Sequence, residues 1–170
     1  MSPTTHRLFF ALWPEPRVVA ALEAARATLA PGPLARKVPG DSLHITLAFL
    51  GEVEAAAVAP LIALARDLPV PAFTLRLDRI ECWRRGGIVF AGSSAPCPAL
   101  DVVVAGLRDA LSKMGVNLDA RPFVPHVTLF RDGRVAAQPL AAPIEWAVQG
   151  VRLVESVPGR GYVALWGAEG

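Results

Sequence analysis

Lysine is nearly missing from this chain of 170 residues. Lys37 and Lys113 stand alone, and arginine carries the rest of the positive charge. Cysteine is as scarce, with only Cys82 and Cys97. A secreted disulfide scaffold of this size carries more, and two cysteines without a nearby histidine do not complete a structural zinc site. Two reduced, partly buried thiols in a cytoplasmic protein are expected. Long apolar runs are missing too. Leu8–Trp13 is stopped by Pro14, is too short for a signal core, and nothing reaches the length of a membrane span. Charged residues are only 19% of the chain and hydrophobic ones 53%, which excludes a disordered tail and leaves enough for a core. The net charge is +2. That suits an anionic ligand but lacks the dense Lys/Arg clustering of a general nucleic-acid binder. Nothing signals an oligomer, and a monomer is the default.

The pattern along the chain mixes strands and helices. Leu8–Trp13 reads as a buried strand. Glu15–Leu29 reads as a helix, opened by Pro16 and stopped by Pro31-Gly-Pro33. Leu43–Leu50 is strand-like, and Val53–Leu68 is a second, alanine-rich helix. Phe73–Ile80 alternates apolar and charged residues, as a half-buried strand does. Arg84-Arg-Gly-Gly87 then turns the chain into a returning strand over Ile88–Ala91. Ala99–Met114 is a third helix before Gly115. Phe123–Phe130 is a strand in which Pro125 implies an edge or a bulge. Ile144–Val157 holds one strand or two, and Tyr162–Trp166 follows the turn Pro158-Gly-Arg-Gly161. Without strict βαβ alternation, this order predicts an α+β fold on antiparallel sheets. No linker divides the chain, so residues 1–170 are expected to form one domain.

Two of the three histidines lie in a repeated pattern. His44-Ile-Thr-Leu-Ala-Phe-Leu-Gly51 and His126-Val-Thr-Leu-Phe-Arg-Asp-Gly133 share His, Thr, Leu and Gly at equal offsets. One His-x-Thr-Leu arises by background composition in about one chain of fifty of this length, so two copies are not an accident of composition. On a strand, residues i and i+2 face one way. His44 therefore projects with Thr46, and His126 with Thr128. Ile45, Leu47, Val127 and Leu129 face apolar packing. If the two strands belong to related lobes, a pseudo-two-fold axis brings the polar faces together across a cleft.

Two facing imidazoles suit phosphoryl chemistry that needs no metal. A neutral imidazole takes a proton from water, and an imidazolium gives one to a leaving oxygen. Each threonine hydroxyl can donate to a phosphate oxygen. Arg131, five positions after His126, falls off the histidine face of an ideal strand; a bend near the strand end would bring its guanidinium to the phosphate. Phe49 and Trp83 are candidates for stacking on a base, although core packing is the ordinary role for each. His6 sits in a polar segment and is read as incidental. Other chemistries lack their residues. His-x-Thr offers one metal ligand per motif, and neither a Gly-x-Ser-x-Gly elbow nor a phosphate-binding Gly-x-x-x-x-Gly-Lys loop is present.

These residues resemble the two-histidine phosphoesterase superfamily, defined by paired His-x-Thr motifs. Arg7-Leu-Phe-Phe-Ala-Leu12, Leu43–Gly51, Arg121–Arg131 and Tyr162–Trp166 look like the bacterial and archaeal RNA 2′,3′-cyclic phosphodiesterases (LigT-like). The resemblance spans nearly the whole chain. It implies two pseudo-symmetric lobes of antiparallel sheet with outer helices around a central cleft. It implies hydrolysis of RNA or nucleotide 2′,3′-cyclic phosphate ends to 2′-phosphates without a cofactor. It also implies His126 as general base, His44 as general acid, and Thr46, Thr128 and Arg131 as phosphate holders. The reverse reaction, a 2′–5′ RNA ligation, and a nucleotide-binding module without turnover are the alternatives.

Overall fold

A computed structural model describes residues 4–167. The strands are β1 (Thr5–Leu12), β2 (Arg36–Lys37), β3 (Ile45–Glu54), β4 (Phe73–Trp83), β5 (Ile88–Gly92), β6 (His126–Arg131), β7 (Gln138–Val148), β8 (Arg152–Val157) and β9 (Gly161–Trp166). The helices are α1 (Pro16–Ala27), α2 (Ala55–Asp67) and α3 (Pro98–Lys113), and a 3-10 turn covers Gly40–Ser42. Four strands form one sheet in the order β3-β1-β8-β9, and five form another in the order β2-β6-β5-β4-β7. Every recorded pairing is antiparallel. The expected α+β class and its antiparallel sheets are what the chain adopts. The first His-x-Thr motif lies along the four-stranded sheet and the second along the five-stranded one.

Helix α2 packs on the four-stranded sheet, α1 touches β7 of the other, and α3 meets both β3 and β4. The main core contains Leu8, Phe10 and Leu12 of β1, Ile45 and Leu47 of β3, and Val127 and Leu129 of β6, all nearly inaccessible. These side chains bury the inner face of each motif strand, at about 25 cal/mol per Å² of apolar surface removed from water. Strands β3 and β6 also approach each other directly, so the two motifs meet near the middle of the molecule.

Several expected boundaries move, each for a physical reason. The strand expected over Phe123–Phe130 begins only at His126, because Pro125 has no N–H for the ladder. The strand expected over Leu43–Leu50 runs from Ile45 to Glu54, since Val53 and Glu54 pair with His6 and Thr5. That pairing delays α2 to Ala55. The stretch Ile144–Val157 is two strands in different sheets, and β7 starts early, at Gln138. Pro139 and Pro143 are tolerated there because β7 is an edge. The two-residue β2 had no sequence signal.

The β4–β5 turn is held against the end of β6. Gly133 N–H donates to Gly87 O at 2.9 Å. Gly87 has φ +60°, and a Cβ there would lie 2.9 Å from the Asp132 Cα. Asp132 itself takes φ 56° as the chain leaves β6, a left-handed conformation that Asp tolerates better than most residues. Gly87→Ala should therefore lower unfolding free energy by about 2 kcal/mol or more, from backbone strain plus steric conflict. Gly150→Ala, whose added Cβ meets nothing within 4 Å, should change it by less than about 0.5 kcal/mol. Urea denaturation of both variants makes the comparison; equal effects would contradict it.

Candidate active site

The two motif strands carry the same irregularity. In the β1–β3 ladder Phe10 pairs with Ala48 but Ala11 pairs with Thr46, leaving Leu47 as an extra residue. In the β5–β6 ladder Val89 pairs with Phe130 but Phe90 pairs with Thr128, leaving Leu129 extra. Both extras are the leucine of His-x-Thr-Leu. A β-bulge of this kind reverses the alternation beyond it. The exposure pattern matches: Leu47 and Ala48 are both buried and Phe49 is exposed, while Leu129 and Phe130 are both buried and Arg131 is exposed. Arg131 thereby returns to the face of His126 and Thr128, and this is the bend its odd offset required.

His44, Thr46, His126, Thr128 and Arg131 line one pocket of about 170 Å³, together with Val38, Ser42, Trp83, Ile88 and Tyr162. All five residues singled out from the sequence are thus brought together. The pocket rim is fixed from beneath. Arg26, buried on α1, donates to the Val38 carbonyl and pairs with Glu23 at 3.0 Å. Val38 N–H in turn donates to Leu129 O at 3.0 Å.

The histidines are oriented alike. His44 Nδ1 lies 2.7 Å from Ser42 O, and His126 Nδ1 lies 2.8 Å from Val124 O. A carbonyl can only accept, so both imidazoles carry a proton on Nδ1. Nε2 is left for chemistry. In the neutral ring, His44 Nε2 accepts from the Thr46 hydroxyl at 3.1 Å. Both histidines are held below the ordinary imidazole pKa. Burial is the main cause in each, only partly offset by the bond to the backbone carbonyl. The positive charge of Arg131 lowers both further, and His126 also lowers His44.

Their aromatic surroundings differ. Trp13 stacks flat on His44, with centroids 5.1 Å apart and planes 6° apart, and Phe9 and Tyr162 close two more sides. Arg152 lies over the Trp13 ring, 5.6 Å from its centroid. His126 instead meets Trp83 at 4.4 Å and Phe90 at 5.6 Å, at steep angles. Reading the sequence did not single out Trp13, Phe9 or Tyr162. The run Leu8–Trp13 is apolar on both faces, so no alternation marked Phe9 and Trp13 as lying against His44. Core packing, the role expected for Phe49 and Trp83, does not hold for either: Phe49 is 50% exposed and Trp83 37%. His6 bonds Glu155 at 2.7 Å and is not among the pocket residues. Among the described residues, no three His, Cys, Asp or Glu side chains gather to hold a metal ion. No helix there is long and apolar enough to cross a membrane.

Long-range ¹⁵N–¹H correlation spectra test this arrangement. Both His44 and His126 should show the Nδ1–H tautomer and titrate below about 6.5, the ordinary value. Inorganic phosphate should raise both by offsetting the charge of Arg131. An Nε2–H tautomer at either position would contradict the assignment.

Known proteins share this sequence pattern and this fold. The model of the LigT like Phosphoesterase family matches residues 12–90 and 93–162. A protein of Escherichia coli K12 named RNA 2′,3′-cyclic phosphodiesterase is 39% identical over 130 residues, covering 76% of this chain and 74% of its own. One of the same name from Thermus thermophilus is 32% identical over 163 residues, covering 88% and 81%. The crystal structure of E. coli LigT complexed with 3′-AMP superposes with a TM-score of 0.86 at 35% identity, over 95% of this chain and 96% of that one. With two bulged His-x-Thr strands meeting in one pocket and a family match over most of its length, the chain belongs to the LigT-like phosphoesterases.

Proposed function

We propose that this enzyme hydrolyses 2′,3′-cyclic phosphates at RNA or nucleotide ends to 2′-phosphates, with its own side chains as acid and base. The observation that carries the reading is the convergence of His44, His126 and Arg131 in one small pocket. The names of the E. coli and Thermus relatives support the substrate class.

In the proposed reaction, His126 Nε2 takes a proton from water as its oxygen attacks phosphorus. The P–O3′ bond breaks, and His44 Nε2–H delivers its proton to O3′. The products are a 2′-phosphomonoester and a 3′-hydroxyl. Thr46 and Thr128 donate to non-bridging oxygens, and Arg131 neutralises the charge that builds on them. The flat Trp13 ring against His44 favours a cationic imidazole on that side, as the acid must be. Phe49 stands in β3 where Arg131 stands in β6, on the histidine face and beside Phe9. It is half exposed there, with the Arg7 guanidinium over its ring at 5.1 Å.

Product formation in EDTA is the first test. Wild-type protein should convert a 2′,3′-cyclic nucleotide to the 2′-phosphate. His44→Ala and His126→Ala should each lose about a thousandfold in kcat, and Arg131→Gln about a hundredfold. Strict metal dependence, or near-normal rates in either histidine variant, would refute the mechanism.

The pH dependence follows from the shifts. Free enzyme must hold His44 protonated and His126 neutral. With both pKa values lowered, that combination peaks below pH 6.5, falling on the acid side as His126 gains a proton and on the alkaline side as His44 loses one. Bound cyclic phosphate is an anion and raises the His44 pKa, so kcat should peak at higher pH than kcat/KM. A kcat/KM optimum well above neutrality, or coincident optima, would contradict this.

A further inference from the structure

One charged side chain lies buried that the proposed reaction does not use. Arg26 of α1 is 2% exposed, the one polar or charged residue among those described to be buried. Taking a guanidinium out of water is costly, and an apolar side chain there would serve stability as well or better. Its partners point to a positional task instead. Arg26 Nη1 donates to Val38 O, and Nη2 donates to Glu23 Oε1 at 3.0 Å. Glu23 in turn packs against the 3-10 turn, where a Cβ on Gly40 would lie 2.7 Å from its Oε1. Only a glycine lets the carboxylate come that close. The Arg26–Glu23 pair therefore touches the same short segment at two places.

That segment, residues 38–42, carries the chain from β2 in the five-stranded sheet towards β3 in the four-stranded one. Each of its ends is tied to one half of the site. Val38 N–H donates to Leu129 O at 3.0 Å, and Leu129 is the bulge residue that returns Arg131 to the His126 face. Ser42 O accepts from His44 Nδ1 at 2.7 Å. Val38 and Ser42 both line the pocket. Within the segment, Ser42 N–H donates to Pro39 O at 3.0 Å and Leu43 N–H to Gly40 O at 3.3 Å. Holding Gly40 in place thus fixes where the Ser42 carbonyl points.

We infer that Arg26 and Glu23 are positioning residues: they hold the 38–42 link so that the carbonyl partner of His44 and the bulge that aims Arg131 keep one relative placement. Neither acts on the reacting atoms. The effect on turnover rests on the cyclic-phosphate reading of the pocket, whereas the effect on the His44 ring does not. A link set loose no longer holds His44 in its Nδ1–H tautomer. His126 keeps its own tautomer, because Val124 O, its partner, lies outside the link.

Two variants of the full chain test this. Arg26→Met removes both bonds of the guanidinium and leaves an apolar side chain in its place. Gly40→Ala leaves Arg26 intact and pushes only the Glu23 carboxylate off the turn; Gly40 does not take a positive φ, so the added methyl brings no left-handed strain. Long-range ¹⁵N–¹H spectra are recorded at about pH 8, where an imidazole is neutral. Both variants should show an Nε2–H population at His44 and none at His126. With adenosine 2′,3′-cyclic phosphate, kcat should fall about tenfold or more in each, since a misplacement of about 1 Å costs up to about a hundredfold.

An unchanged His44 tautomer in either folded variant would overturn the inference. So would loss of the Nδ1–H tautomer at both histidines alike, the mark of general loosening, or kcat within about twofold of an active wild type. If Arg26→Met does not fold, Gly40→Ala decides by the same measurements. Failure of the cyclic-phosphate reading looks different: wild-type protein then turns over no cyclic phosphate, and the spectra alone keep or reject the positioning role.

Discussion

A strand that alternates without interruption cannot put residues i, i+2 and i+5 on one face. The site needs that set, because His126 and Thr128 must share their pocket with Arg131. The bulge at Leu129 supplies the missing half-step, and the bulge at Leu47 repeats it on the other motif strand. Each bulge leaves one residue outside the regular ladder. The compensation is hydrophobic: Leu47 with Ala48, and Leu129 with Phe130, bury two consecutive side chains where a regular strand would bury one. The repeated leucine is thus part of what aims the site, although it faces away from it. The glycine contact between the β4–β5 turn and the end of β6 then fixes where Arg131 leaves its strand.

The two motif strands share one pattern, and single residues make their surroundings unequal. The repeat places Phe49, with Arg7 over its ring, in one strand where the other has Arg131. His44 lies in a box of Phe9, Trp13 and Tyr162 with Trp13 parallel to it, whereas His126 meets Trp83 and Phe90 at steep angles. Arg131 lowers the pKa of both rings. Placing an anion between the histidines and Arg131 removes that penalty, so the protonation state the proposed reaction requires is favoured most when substrate is present.

Much of this was legible from residues alone. The duplicated His-x-Thr-Leu located four pocket residues, because period-two alternation in a strand is a local property that the sequence displays; Arg131 reached the same face only through the bulge at Leu129. Turn residues marked the β4–β5 hairpin, and helical periodicity with proline and glycine stops marked the three helices to within a few positions. What was not legible depends on pairing between distant segments. The bulges are defined only against β1 and β5. Strand β2 is two residues long and exists because β6 accepts it. Phe9 and Trp13 lie in a run that is apolar on both faces, so nothing local distinguished the cleft side. Phe49 looked like core because phenylalanine in a strand usually is; the parity reversal at Leu47 put it outside.

The division of labour between the two histidines is the central claim, and a change of leaving group separates them most directly. A cyclic substrate with sulfur in place of O3′ expels a thiolate, which needs no proton in the transition state. The account predicts that this substrate restores most of the activity lost by His44→Ala and none of that lost by His126→Ala. Restoration of His126→Ala, or of neither variant, would contradict the assignment of His44 as acid and His126 as base.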